Sequence, residues 1–99
     1  MKNDGRIADT RNVLCEEYTR NNKGELKNGN MKNEGTLLYC VVSVSERKIY
    51  VISYKKLKEI YKERGRYMEI PHATQTTLCY LLPLTELEAA GGLLNTINY

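Results

Sequence analysis

Two almost uninterrupted apolar runs constrain the fold of this chain more than any other feature. The first, LLYCVVSV, covers residues 37–44, and the second, IYVI, covers residues 49–52. Only the polar segment 45–48 separates them, which is typical of a β-hairpin with a tight turn. Because nearly every position is apolar, and not every second one, we expect both faces of this strand pair to be covered.

A basic amphipathic helix is predicted directly after the hairpin. Ser53 is a suitable N-cap and Gly65 a suitable end. Between them an apolar stripe recurs at helical spacing, formed by Tyr54, Leu57, Ile60 and Tyr61. Residues 77–82 form a further predicted strand, which Pro83 ends before a short helix over 85–90. Residues 66–76 and the tail after Gly91 and Gly92 are predicted as loops.

The N-terminal part has weaker patterns. Residues 13–16 predict a short strand with Glu16 or Glu17 at its rim. Residues 20–35 contain five Asn, three Gly and three Lys, a composition that favours turns, so we expect a flexible loop there. Together these elements predict one domain over residues 1–99 of the α/β (α+β) class. We expect a mixed sheet of three to four strands, packed with one main helix and a short C-terminal helix.

The composition excludes several classes of protein. With 99 residues and a mass of 11.4 kDa the chain has room for one core only. No run is long enough to cross a membrane and the N-terminus is polar, so we expect a cytoplasmic protein without a membrane partner. Cys15, Cys40 and Cys79 lie in apolar runs and are predicted to be reduced core residues. With His72 as the single histidine, a structural zinc site lacks ligands.

Basic residues are concentrated in one segment. Residues 55–69 hold six basic and three acidic side chains, whereas the net charge of the whole chain is only +3. A nucleic-acid or partner-binding surface here would use Lys55, Lys56, Lys58, Lys62, Arg64 and Arg66. The other interpretation is a solvated helix face of mixed charge, since Glu59 and Glu63 lie among the cations.

A collinear series of motifs resembles the phage-type PD-(D/E)XK nucleases of the restriction-endonuclease-like superfamily. Lys2-x-Asp4 resembles the Lys-x-Asp of that family, and Thr10-Arg11-Asn12 resembles its Thr-Gly-Asn turn, with Arg11 in place of glycine. Cys15-Glu16 resembles the end of the next strand. The segments KIYVI (48–52), KLKEI (56–60) and TTLCYLLPLTEL (76–87) resemble the later part of the family sequence. The resemblance covers nearly the whole chain and implies a truncated restriction-endonuclease-like core.

The same resemblance implies where chemistry would occur. In the family an Asp and a Glu from adjacent strands hold Mg²⁺, and a Lys polarises the attacking water at the phosphodiester. Here Lys2 and Glu16 would be the catalytic relics, and Asp4 and Glu16 would be the metal ligands. Lys2 directly follows Met1, so the metal-binding Glu that precedes the Lys in the family has no counterpart. Asp9 and Glu17 are the other acids from which a site would have to be rebuilt.

Two functions from different classes follow as expectations. The first is a catalytically degenerate, nuclease-like phage or mobile-element protein without a cofactor. It would act by binding, for instance as an inhibitor of a host nucleic-acid enzyme such as a CRISPR nuclease, or on DNA. The alternative is a Mg²⁺-dependent DNA endonuclease whose site is completed by a second subunit. A core that has lost its first strand and helix would also expose apolar surface, which makes a homodimer possible.

Overall fold

The computed structural model describes the backbone of Lys2–Asn3 and the whole of residues 10–99. The strands are β1 (Lys2–Asn3), β2 (Asn12–Asn21), β3 (Leu26–Asn28), β4 (Leu38–Ser43), β5 (Lys48–Ser53), β6 (Arg66–Pro71), β7 (Gln75–Pro83) and β8 (Leu93–Asn98). The helices are α1 (Tyr54–Arg64) and α2 (Leu84–Ala89), and Asn30–Lys32 forms a single 3₁₀ turn. Within this part of the chain no helix has both the length and the apolar character needed to span a bilayer.

The strands form two sheets. Sheet I has the order β1-β4-β5-β8, and sheet II has the order β3-β2-β7-β6. All neighbours are antiparallel except β1 and β4, which are parallel. The α+β class, the main helix and the short C-terminal helix are therefore confirmed. The expectation of one sheet with three to four strands is wrong, because strands predicted to share a sheet divide between two.

The predicted hairpin is β4 and β5, which lie at the centre of sheet I. Their register pairs Val41 with Tyr50 and Tyr39 with Ile52. Val41, Tyr50 and Ile52 are at most 2% exposed, so this face of the hairpin forms part of the core. The connecting turn covers residues 44–47 and places Arg47 at a positive φ of 55°.

Helix α1 links the two sheets through its apolar stripe. The Ser53 side chain accepts a hydrogen bond from the backbone of Lys56, and the N–H of Gly65 closes the last turn on Tyr61. The predicted stripe is buried as a unit in one core that also contains residues of both sheets. The helix contacts β5 of sheet I and β7 of sheet II. It therefore joins the hairpin of sheet I to sheet II.

Three segments that were predicted as loops contain regular structure. Segment 20–35 includes β3 and the 3₁₀ turn, and Met31 at the centre of that turn is 1% exposed. Segment 66–76 includes β6, which pairs with β7, and the tail after the glycines includes β8, which pairs with β5. Each of these pieces is held by a partner strand, and composition within the segment itself carries no information on that pairing.

Candidate functional site

A β-bulge in β2 creates the most buried acidic site among the described residues. The register of β2 with β7 shifts between Glu16 and Tyr18, because Glu16 lies opposite Cys79 and Tyr18 lies opposite Leu78. Glu17 is the extra residue of the bulge. It continues the buried face of Val13 and Cys15 and is only 8% exposed. Bulges redirect side chains and often lie next to active sites, so this carboxylate is the first candidate for chemistry.

Three groups converge on one oxygen of Glu17. The Tyr61 hydroxyl donates a hydrogen bond to Oε2 at 2.8 Å. The Lys62 ammonium lies 3.1 Å from the same oxygen, and the Lys32 ammonium lies 3.4 Å from it. Tyr61 and Lys62 come from the last turns of α1, whereas Lys32 ends the 3₁₀ turn, so three separate parts of the chain meet here. We call Glu17, Lys32, Tyr61 and Lys62 the Glu17 cluster.

The protonation states of the cluster follow from these contacts. Burial alone would raise the pKa of Glu17, but hydrogen bonds from Tyr61 and Lys62 and the charges of Lys62 and Lys32 outweigh it, so the pKa is lowered. Burial and the hydrogen bond to Glu17 raise the pKa of Tyr61. At neutral pH the carboxylate is therefore charged and the phenol is neutral. Neither group is tuned toward pH 7 as a general base or acid would be.

The segment that supplies Lys32 is fastened to the bulge by its backbone. The N–H of Gly29 donates to the Glu17 carbonyl at 2.7 Å, and the N–H of Glu16 donates to the side-chain oxygen of Asn30 at 2.9 Å. The Asn30 amide donates to the Tyr39 hydroxyl at 2.7 Å, and the Tyr54 hydroxyl donates to the Asn30 carbonyl. Lys32 also lies 4.8 Å from the centre of the Tyr18 ring. The bulge and this segment thus form one hydrogen-bonded unit.

A second acidic cluster lies at the turn between β4 and β5. The Glu46 carboxylate accepts hydrogen bonds from Ser43 at 3.0 Å, from Tyr50 at 3.1 Å and from Arg11 at 3.1 Å. Burial opposes the charge of Glu46, but the hydrogen bonds from Ser43 and Tyr50 and the charge of Arg11 lower its pKa. As with Glu17, the charged carboxylate is surrounded by donors. It fastens the N-terminal segment at Arg11 to sheet I.

The residues predicted to form a nuclease relic either lie on strands of different sheets or fall outside the described residues. The backbone of Lys2 belongs to β1 in sheet I, whereas Glu16 lies in β2 of sheet II. Asp4 and Asp9 lie outside the described residues. Among the residues that the structure does describe, no three His, Cys, Asp or Glu side chains are grouped so that they could hold a metal ion. The bulge therefore directs Glu17, and not the predicted Glu16, into the polar cluster.

The predicted basic surface is divided by ion pairs. Lys56 pairs with Glu59 at 3.5 Å, Lys62 pairs with Glu17, and Arg64 pairs with Glu86 at 3.5 Å. The other three cations of the set have no carboxylate within ion-pair distance in the described part of the chain: Lys55, Lys58 and Arg66. All three are exposed. The mixed-charge interpretation thus fits half of the set. Of the other half, Lys58 also lies 3.5 Å from the Asn33 carbonyl oxygen and 5.5 Å from the centre of the Tyr54 ring.

The thiols and the histidine do not form a nucleophile pair. Cys15 and Cys79 are fully buried and Cys40 is half-buried, and no disulfide joins any two of them in the described part of the chain. His72 lies in the exposed turn between β6 and β7, where its backbone N–H donates to the Gln75 carbonyl. Because two of the thiols are inside the core and the imidazole is at the surface, their arrangement gives no basis for thiol catalysis.

An apolar cleft of about 300 Å³ lies on sheet II. Leu14 and Leu81 face one another across β2 and β7 there, and Met68 and Ile70 of β6 line the same cleft. Its polar lining residues are Thr10, Asn12 and Glu69. Such a cleft can accept an apolar group, but the clusters of Glu17 and Glu46 lie elsewhere.

Comparison of the chain with known protein families, with curated proteins and with solved structures found no match. The contacts described above, and the motifs of the sequence, are therefore the basis on which its function is inferred.

Proposed function

We propose that this protein acts by binding, as a catalytically degenerate relative of the PD-(D/E)XK nucleases. Its site of action is the host cytoplasm, and its target is a host nucleic-acid enzyme such as a CRISPR nuclease. The observation that carries the proposal is the Glu17 cluster. The carboxylate in the position most suited to chemistry is already paired with two ammonium groups and accepts a hydrogen bond from the Tyr61 hydroxyl.

The cluster opposes metal catalysis for an electrostatic reason. Mg²⁺ binds carboxylate oxygens at about 2.0–2.1 Å in an octahedral shell, so it needs an approach free of other cations. The ammonium groups of Lys62 and Lys32 both lie within 3.4 Å of Glu17 Oε2. An ion at that oxygen would have to displace both lysines and the Tyr61 hydrogen bond. Charge-assisted hydrogen bonds of this kind are among the stronger ones in proteins, which makes the exchange unfavourable.

The positions of Lys2 and Glu16 support the same conclusion. Phosphodiester cleavage by this mechanism needs a lysine and metal-binding carboxylates at one point, because the metal and the amine act on the same phosphate. The strands of Lys2 and Glu16 belong to different hydrogen-bonded sheets. The alternative function, a Mg²⁺-dependent endonuclease, would have to draw further ligands from a second subunit.

The backbone at Arg11 supports the resemblance to the family. Arg11 has a φ of 58°, in the left-handed region that favours glycine. In the sequence resemblance described above, Arg11 takes the position of the glycine in the family's Thr-Gly-Asn turn. A residue with a Cβ in this conformation is uncommon, and Arg11 is held there by its contacts with Glu46 and Tyr50. The turn thus keeps a glycine-type geometry although the glycine is gone.

The surface that meets the target includes the cations without an intramolecular ion pair. Lys55 and Lys58 are exposed on α1, and Arg66 begins β6 just beyond its end. Three cations can pair with acidic groups on a protein surface, but three are too few for tight binding of DNA. Three phosphate contacts would give a salt slope of only about −3. The charge pattern therefore favours a protein target over DNA.

Plasmid cleavage tests the proposal. We expect supercoiled plasmid incubated with the protein and millimolar Mg²⁺ or Mn²⁺ to be nicked no faster than in EDTA, because the described residues contain no group of three His, Cys, Asp or Glu side chains that could hold the ion. The contradicting result is metal-dependent nicking by the purified chain that is lost in Glu16→Ala or Lys2→Ala and retained in Glu34→Ala. Glu34 is the matched control, because it is an exposed acid at a distance in the chain from both relic residues.

A further inference from the structure

We propose that the outer face of sheet I is a self-association surface, on which a second copy of this chain packs face to face around a two-fold axis. We define the outer face by seven residues of β4, β5 and β8 on the side away from the core. They are Leu38, Cys40, Val42, Ile49, Val51, Asn95 and Ile97. This inference concerns the assembly of the protein and is independent of whether it inhibits an enzyme.

The two faces of sheet I differ in burial but not in chemistry. On the inner face Val41, Tyr50 and Ile52 are at most 2% exposed. On the outer face Leu38 is 55% exposed and Ile97 is 43% exposed. Cys40, Val42, Ile49 and Val51 are half-buried. Strands that are apolar on both faces are typical of sheets covered on both sides, and here the described residues bury only one side.

The register shows that the outer face is continuous. Val42 lies opposite Ile49, which lies opposite Ile97, so these side chains form one row across three strands. Cys40 lies opposite Val51, which forms a second row. Val44, directly after β4, is 56% exposed, and Leu94 in the bulge of β8 is 53% exposed, so the apolar surface continues at its margins.

The absence of charge favours a second copy as the occupant. None of the seven outer-face residues is ionisable apart from the Cys40 thiol. Two identical faces can therefore stack without opposing like charges, although the whole chain has a net charge of +3. A two-fold axis brings the same patch of both copies together, and an uncharged apolar patch is complementary to itself.

The area is consistent with a reversible dimer. Three strands spaced about 4.8 Å apart and about 20 Å long present a flat area of roughly 300 Å². Two stacked faces bury roughly twice that area. Side chains that project from the sheets, together with Val44 and Leu94 at the margins, bring the total toward about 1,000 Å², which is the lower limit for a specific interface. Stacked sheets pack about 10 Å apart with strands within about 30° of each other, which would form a sandwich of the two copies. An interface of this size is typical of weak, reversible association.

Cys40 is a native reporter for this interface. It lies on the outer face and is half-buried, whereas Cys15 and Cys79 are fully buried in the folded chain. Alkylation of the native protein should therefore report on Cys40 first. If a second copy covers the outer face, the reaction slows as the protein concentration rises.

The experiment combines sedimentation velocity with iodoacetamide labelling from about 5 µM to about 500 µM chain. We expect the mass to rise from 11.4 kDa toward twice that value. Labelling of Cys40 should slow by about three- to sixfold over the same range, as mass action predicts for a monomer–dimer equilibrium with a dissociation constant of about 10–100 µM. Val42→Lys should keep the chain monomeric, with fast labelling throughout. Leu26→Lys, at a residue of β3 that is 57% exposed, is the matched control and should keep the concentration dependence.

Ile97→Lys is the second variant if Val42→Lys does not fold, because a lysine at this 43% exposed position reaches solvent in the monomer. Two results would overturn the proposal. One is a chain that stays monomeric with unchanged labelling at every concentration, which would leave the face to a different partner. The other is self-association that persists unchanged in Val42→Lys and Ile97→Lys, which would place the contact on another surface such as the free edge of β8.

Discussion

Replacement of Gly29 by alanine is expected to lower the free energy of unfolding by about 2–4 kcal/mol, or the melting temperature by roughly 10–20 °C. A Cβ at this position would lie 2.4 Å from the Glu16 carbonyl oxygen, far inside contact distance. The neighbour is backbone within the bulge and cannot rotate away. The segment would have to move off β2, with loss of the Gly29 hydrogen bond to Glu17 and of the Asn30 hydrogen bond to Glu16.

Gly24→Ala is the matched control for this substitution, measured by urea unfolding under the same conditions. Gly24 has a φ of 82° and nothing within 4 Å of an added Cβ, so alanine there meets backbone strain only. We expect it to cost about 1 kcal/mol. A loss for Gly29→Ala no larger than that for Gly24→Ala would show that segment 29–32 is not fastened to the bulge as described.

Removal of the Glu17 carboxylate is the second large effect. Glu17→Ala is expected to destabilise the fold by about 2–3 kcal/mol, because it leaves the buried Tyr61 hydroxyl without its acceptor and Lys32 and Lys62 without their counter-charge. The two lysine side chains are 26% and 56% exposed, so water takes over part of their solvation and limits the loss. Glu59→Gln is the control, since its ion pair with Lys56 is exposed and is worth at most about 0.5 kcal/mol.

The pH dependence gives the Glu17 prediction a second readout. The pKa of Glu17 in the folded chain is lowered from its ordinary value of 4.5. Its contribution to stability is therefore fully present above 4.5 and is lost as the pH falls through the lower, folded-state pKa. We expect the stability difference between the native chain and Glu17→Gln to be constant near neutral pH and to shrink below about pH 4.5. A difference that grows on acidification would contradict the ion-pair account of the cluster.

Sequence reasoning located the elements whose signals are local. The hairpin of β4 and β5, helix α1 with its Ser53 cap and Gly65 end, and strand β7 with the Pro83 boundary all depend on residues adjacent in the chain. Propensity, capping and hydrophobic periodicity operate at that range. The outer face of sheet I is an exception. Its apolar pattern predicts a covering layer, but the described residues leave this face half-exposed.

The elements that were missed depend on distant partners. β6 and β8 contain exposed positions and polar residues, and only their pairing with β7 and β5 makes them strands. Glu17 was one of several acids near a strand end in the sequence. The one-residue insertion that turns it toward Tyr61 is a property of the β2 and β7 register and not of the residues beside it.

Titration of Mn²⁺ into the purified protein, followed by water-proton relaxation, tests the central claim most directly, because it reports metal binding without requiring turnover. We expect no saturable site, because Glu17 Oε2 is paired with the Lys32 and Lys62 ammonium groups and accepts a hydrogen bond from Tyr61. One saturable Mn²⁺ per chain that is weakened by Glu16→Gln or Glu17→Gln, and left unchanged by Glu59→Gln, would contradict it.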